Sequence, residues 1–172
     1  SRIFLVFEFL SGAPLSRLLE ERGAFPLESA RTILEQAAAA LDYAHARGVL
    51  HRELKPANIF ITDEGSVKLT DFALVHLAKT TSSRLSGRAS WDPAHMAPEL
   101  ELGLARKESD LYSLAACFYE LLSGKLPFPG PDFLEQKRRM RFTPLSAMGL
   151  PAGLDPLLAR ALEADPARRF QS

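Results

Sequence analysis

Between Leu111 and Leu122 the chain is apolar on nearly every side of a helix. Leu111, Leu114, Ala115, Phe118, Leu121 and Leu122 make one stripe, and Tyr112, Ala116, Cys117 and Tyr119 cover much of the remainder. A surface helix keeps a polar face toward water, so a helix without one has to be surrounded. The run is too short to cross a bilayer, which takes roughly 20 apolar residues. The surroundings must therefore be protein, and the fold must place this helix in the middle of a domain.

The other elements read as a shell around it. Ile3 to Leu10 is nearly all apolar and, at that length, reads as a buried strand rather than a helix. Ser11-Gly12-Ala13-Pro14 breaks it. Leu15 to Arg22 is a short helix closed by Gly23. Pro26 suits the opening of the next helix. That helix carries Ala30, Ile33, Leu34, Ala37, Leu41 and Ala44 on one face and stops at Gly48. Ile59–Thr62 and Ser66–Thr70 flank Asp63-Glu64-Gly65 as a hairpin. From Leu74 to Met96 no period is sustained, which predicts a mobile surface segment. Shorter helices follow at about 132–140 and 154–163.

Composition narrows the function classes. The chain has 172 residues, enough for one domain with a real core. Lys plus Arg (21) equals Asp plus Glu (21), so nothing points to nucleic acid or an anionic membrane as partner. Cys117 is the single cysteine, which excludes an internal disulfide and a cysteine-based zinc site. Neither a secretory leader nor a membrane-spanning run is visible. With the lone cysteine, this leads to an expected cytoplasmic location. The chain opens at Ser1 almost directly into an apolar run, and it is expected to be a piece of a longer protein.

The stretch His51-Arg52-Glu53-Leu54-Lys55-Pro56-Ala57-Asn58 concentrates the chemistry. It lies between a helix and a hairpin, and it packs a histidine, three further charged groups and an amide into one loop. Loops on a rigid scaffold are where polar groups can be presented for catalysis or binding.

This loop resembles the catalytic loop of Ser/Thr protein kinases, H-R-D-L-K-P-x-N, with Glu53 in place of the aspartate. Further motifs follow in that family's order. Val67-Lys68-Leu69-Thr70-Asp71-Phe72-Ala73 resembles the strand leading into D-F-G, with Ala73 for the glycine. Met96-Ala97-Pro98-Glu99 matches A-P-E, and Ser109-Asp110-Leu111-Tyr112-Ser113-Leu114-Ala115 resembles S-D-x-W/Y-S-L-G. Tyr119 to Phe128 matches the end of the family's central helix, and Asp165-Pro166-Ala167-Arg168-Arg169 resembles D-P-x-x-R. The resemblance runs over the whole chain but lacks the Gly-rich phosphate loop, the strand lysine and its helix glutamate. It implies a mostly α (α+β) fold: the C-terminal lobe of a kinase domain, residues 1–172, beginning at the hinge strand, with the N-lobe absent. That lobe is a helical bundle around a buried central helix, with a short hinge strand and a small β-hairpin.

The resemblance also implies roles. Glu53, Lys55, Asn58 and Asp71 take the catalytic positions, with Asn58 and Asp71 as magnesium ligands and Lys55 against the transferring phosphate. Phe7 takes the gatekeeper position. Glu8, Phe9 and Leu10 take the hinge, and Phe60 lies under the adenine ring. His51 and Phe72 belong to a regulatory hydrophobic stack. Asp110 holds the catalytic-loop backbone, Arg52 receives an activation-loop phosphate, and Glu99 pairs with Arg169. The implied cofactor is Mg-ATP, and the implied partner is a protein substrate or a regulatory protein.

Three departures bear on activity. Glu53 keeps the carboxylate on a side chain one methylene longer, and about 1 Å of misplacement can cost on the order of a hundredfold in rate. Ala73 resists backbone angles that glycine allows. Asp92 stands where Ser/Thr kinases usually have a threonine, adding negative charge near Glu53. These departures favour impaired catalysis. A catalytically inactive scaffold or allosteric module is the alternative. A small-molecule phosphotransferase of the aminoglycoside type fits less well, since Leu54-Lys55-Pro56 and A-P-E are foreign to it. Thr80, Thr81, Ser82, Ser83, Ser86 and Ser90 are available phosphate acceptors.

Overall fold

The computed structural model describes residues 6–72 and 93–172. Among the described residues six helices run in chain order: Leu15–Arg22 (α1), Leu27–His45 (α2), Pro98–Glu101 (α3), Lys107–Ser123 (α4), Phe133–Arg138 (α5) and Leu154–Ala161 (α6). The strands Gly12–Pro14 (β1), Ile59–Thr62 (β2) and Val67–Leu69 (β3) form an antiparallel sheet in the order β1-β2-β3. A helical body with a small sheet agrees with the expected fold class.

Helix α4 is the centre, as its apolarity requires. Tyr112, Ala116, Cys117, Tyr119 and Leu121 are all at most 1% exposed. Even its polar first turn is enclosed, with Ser109 and Asp110 each at 1%. The most extensive helix–helix packing is α2 on α4, through the stripe Ala30, Ile33, Ala37, Leu41 and Ala44. α6 also packs on α4. Burying one leucine-sized side chain contributes about 1.5–3 kcal/mol, so this seam holds the body together. Gly124 caps α4 in the left-handed region, φ 68°, and its N–H donates to Glu120 O.

The hairpin sits where the sequence puts it. Ile59 pairs with Leu69 and Ile61 with Val67, and the turn closes through Gly65 at φ 81°. β3 lies against α2, where Gln36 Oε1 accepts from Val67 N at 2.9 Å.

The N-terminal expectation is corrected. Residues 1–5 lie outside the described residues, and residues 6–10 form no strand. Val6 is 94%, Phe7 67% and Phe9 90% exposed rather than buried. The strand lies further on, at Gly12–Pro14, which had read as a break. Gly12 has φ 131°, and a Cβ there would meet Ile61 O at 2.1 Å, so β1 can pair with β2 only because residue 12 is glycine. The expected mobile segment falls almost wholly on 73–92, outside the described residues, as do Ala73, Asp92 and the serines and threonines between them.

Candidate active site

Asp110 stands in the first turn of α4, where the exposed N–H groups of a helix favour negative charge. Its carboxylate reaches back to the loop before β2. Oδ2 accepts from His51 N at 2.9 Å and Oδ1 from Arg52 N at 2.8 Å. His45 Nε2, at the end of α2, lies 2.8 Å from Oδ2. Three elements thus converge on one side chain that is 1% exposed. The grip matters because Arg52 is held at φ 69°, a conformation that non-glycine residues seldom adopt unless their surroundings fix it.

The loop beyond Arg52 folds on itself. Lys55 Nζ donates to Glu53 Oε1 at 3.0 Å, and both side chains are about three-quarters buried. Asn58 Nδ2 donates to Glu53 O at 2.8 Å, and a single turn of 3-10 helix at Pro56–Asn58 sets this geometry. Asn58 is 6% exposed. Its carbonyl accepts from Thr70 N at 3.0 Å, which brings the end of β3, and the following Asp71, beside the loop. Asp71 is exposed and held at φ 61°. Glu53, Lys55 and Asn58 are therefore one hydrogen-bonded cluster, with Asp71 next to it in the chain path.

Phe72 turns its ring onto His51, with centroids 4.5 Å apart. Burial pushes the His51 imidazole below its ordinary range, against an opposing pull from Asp110, so it is neutral in the stack. Phe60, on β2, is half-buried and lies opposite Lys68 of β3. Lys68 Nζ is 3.7 Å from Glu8 Oε1, tying the segment before β1 to the hairpin. Leu10 is half-buried. Glu8, Leu10 and Phe60 thus border the sheet, while the polar cluster lies at the loop.

The donor chemistry suits a hard divalent cation. Asn58 commits its amide nitrogen to Glu53, which leaves Oδ1 as an oxygen donor, and Asp71 offers an exposed carboxylate. Among the described residues no cluster of three His, Cys, Asp or Glu side chains could hold a metal without further oxygens.

Two residues escaped the sequence reading. His95 Nε2 lies 2.6 Å from Glu120 Oε2, and the pair lines a pocket of about 350 Å³ that also contains Lys55 and Glu20. The signal was present: Glu120 is the one acid within the apolar run Leu111–Leu122, and His95 directly precedes Met96-Ala97-Pro98-Glu99.

Below the loop, Glu99 and Arg169 meet in a bidentate pair at 2.7 and 2.8 Å. The other Arg169 donors reach Glu163 O, Ala164 O and Glu108 O, and its guanidinium lies 4.7 Å from the Tyr112 ring centroid. Ser109 Oγ donates to Glu99 Oε1 at 2.7 Å. Burial alone would raise the Glu99 carboxyl, but the hydrogen bonds from Arg169 and Ser109 hold it below its ordinary value. Arg52, expected to meet a phosphate, is half-buried, and its Nε has no hydrogen-bond partner among the described residues.

Comparison with known proteins agrees with this architecture. A family model described as "Protein kinase domain" matches residues 1–170. Serine/threonine-protein kinase PknA of Mycobacterium tuberculosis is 37% identical over 98% of this chain and 40% of its own length. Serine/threonine-protein kinase PknL of the same organism is 38% identical over 97% of this chain and 43% of its own. The crystal structure of Rad53 1-466 in complex with AMP-PNP superposes with a TM-score of 0.77 at 29% identity, over 94% of this chain and 42% of that one. The chain spans about two-fifths of the length of these relatives.

Proposed function

Because the chain belongs to the protein kinase domain family, we propose that residues 1–172 are the large lobe of a Ser/Thr protein kinase-like domain. The lobe begins at the hinge, and the small lobe is supplied upstream. The parent transfers the γ-phosphate of ATP to a protein Ser or Thr hydroxyl, at a rate impaired by Glu53. The observation that carries this reading is the Glu53–Lys55–Asn58 cluster, pinned from below by Asp110.

Phosphoryl transfer asks a protein mainly to position groups and offset charge. Bound magnesium-ATP would supply the phosphoryl group and the cation that neutralises it. Asn58 Oδ1 and the Asp71 carboxylate would hold that cation. Lys55 places an ammonium beside the base position, where it would meet the transferring phosphate. Glu53 would orient the incoming hydroxyl and accept its proton, but from a side chain one methylene too long, which displaces the carboxylate. Glu8 and Leu10 would face the adenine through the hinge backbone, and Phe60 would lie beneath it.

The second reading is a catalytically inactive scaffold or allosteric module. It is favoured by the same Glu53, together with Ala73 in place of the glycine of D-F-G. Comparing the protein extended upstream with residues 1–172 separates the two. With radiolabelled ATP and a generic Ser/Thr peptide, the extended protein should transfer phosphate, Asp71→Ala should abolish transfer, and residues 1–172 alone should be inert. An extended protein with a small lobe but no transfer above its Asp71→Ala variant favours the module.

A further inference from the structure

A second concave surface lies away from the catalytic loop, between the segment after α4 and the segment after α5. It is an open groove of about 880 Å³. Its floor is aromatic and rigid. Tyr119 is 1% exposed and donates through its hydroxyl to Thr143 O at 2.8 Å. Phe142 stands edge-on to Tyr119 and to Phe128, with centroids 5.9 and 5.8 Å apart. Leu126, Pro127, Pro129 and Met148 complete the apolar lining. One wall is fixed by Gln136, whose Nε2 donates to Gly130 O at 3.0 Å.

The charges on this groove are of one sign. Lys125 and Arg141 line it, both are exposed, and among the described residues no acidic side chain lines it. Among the described residues neither cation has a carboxylate within ion-pair distance. Their backbones are fixed. Lys125 N donates to Ser123 Oγ, and Arg141 N donates to Gln136 O after a left-handed residue at Met140, φ 51°. Two preplaced, unneutralised cations beside a rigid apolar floor attract a ligand that brings carboxylates and an apolar anchor together.

We propose that this groove docks a short extended segment of a partner protein that carries glutamate or aspartate on either side of a leucine-like anchor. The anchor rests on Phe142 and Met148, and the carboxylates meet Lys125 and Arg141. Rigid floors favour such binding because little has to be ordered on association. The surface is independent of phosphate transfer, so it serves either reading of the catalytic loop.

The test uses fluorescence anisotropy with a fluorescein-labelled octapeptide that alternates glutamate and leucine, at low salt and at high salt. The control is a labelled octapeptide alternating lysine and leucine. The glutamate peptide should bind, weaken as salt screens the pairs, and lose roughly tenfold or more in affinity to the double variant Lys125→Glu, Arg141→Glu. Lys125→Arg with Arg141→Lys should retain binding, and both variants should melt like the parent. Met148→Glu, on the floor, should weaken the glutamate peptide as well. Three results overturn the proposal: no measurable binding to the native protein, equal binding of the lysine peptide, or affinity unchanged by the double reversal.

Discussion

Glu99 and Arg169 are 70 residues apart in sequence and meet as a bidentate ion pair, with Arg169 1% exposed and all five of its donors hydrogen-bonded. The pair fastens the short helix α3 to the C-terminal end of the chain across the base of α4. Removing one partner leaves the other charged in a dry site, at a cost of about 3–5 kcal/mol. Arg169→Ala should therefore lower the melting temperature by roughly 10 °C in a chain of this size. Arg168→Ala, at the exposed neighbouring position, should shift it by no more than about 2 °C, in keeping with surface substitutions. Equal melting of the two variants would mean the pair carries no stability.

Glu99 also sets an acid limit. Its folded-state value lies below the unfolded one, so the pair's contribution is fully present above the unfolded value. It is lost as pH falls through the folded one. Denaturation followed from pH 6 down to pH 2 should show stability falling below about pH 4.5. Glu99→Gln should be less stable at neutral pH and flatter over that acid range.

His51 acts at a higher pH by the same logic. Burial lowers its folded value, so the unfolded chain takes up a proton first as pH falls below about 6.5. Stability should decline from that point until the folded value is passed, then level. His51→Phe keeps a ring against Phe72 and should remove this part of the decline. An identical slope between pH 7 and pH 5 in both proteins would show that His51 is not the group responsible.

Asp110 should govern the order of the loop before β2. Asp110→Ala deprives His51 N and Arg52 N of their shared acceptor and frees Arg52 from its left-handed conformation. Leaving buried donors unpaired costs about 1–3 kcal/mol each. Amide hydrogen exchange at His51 and Arg52 should accelerate markedly, while the β2–β3 hairpin amides should change little. Unchanged exchange at those two residues would contradict the anchoring role.

How much of this was legible varies with how local the cause is. The burial of α4 followed from its own side chains, and the hairpin from Asp63-Glu64-Gly65 between two apolar runs. The Glu99–Arg169 pair and the Asp110 anchor were legible only through motif order, since no local pattern joins residues 70 or 59 apart. Residues 6–10 misled because apolar content measures what a segment can bury and is silent on what covers it. Val6 and Phe9 stand exposed, a surface prone to association. β1 was missed because its pairing depends on the close approach of Gly12 to Ile61, a contact made by residues far apart in sequence. The His95–Glu120 pair was missed for the same reason: tertiary packing brings the two together across 25 residues.

The phosphate transfer proposed for this loop is limited by the reach of Glu53. The most direct measurement is steady-state phosphorylation of a generic Ser/Thr peptide by the protein extended upstream, compared across native, Glu53→Asp and Glu53→Gln forms at matched folding. Glu53→Asp should raise the rate by about tenfold to a hundredfold, by restoring the shorter carboxylate. Glu53→Gln should fall below native, because an amide cannot take the proton. A native rate well above that of Glu53→Asp would contradict the claim, since the longer side chain would then be the working base. Equal, negligible rates in all three would contradict it too, leaving the loop as the relic of an inactive module.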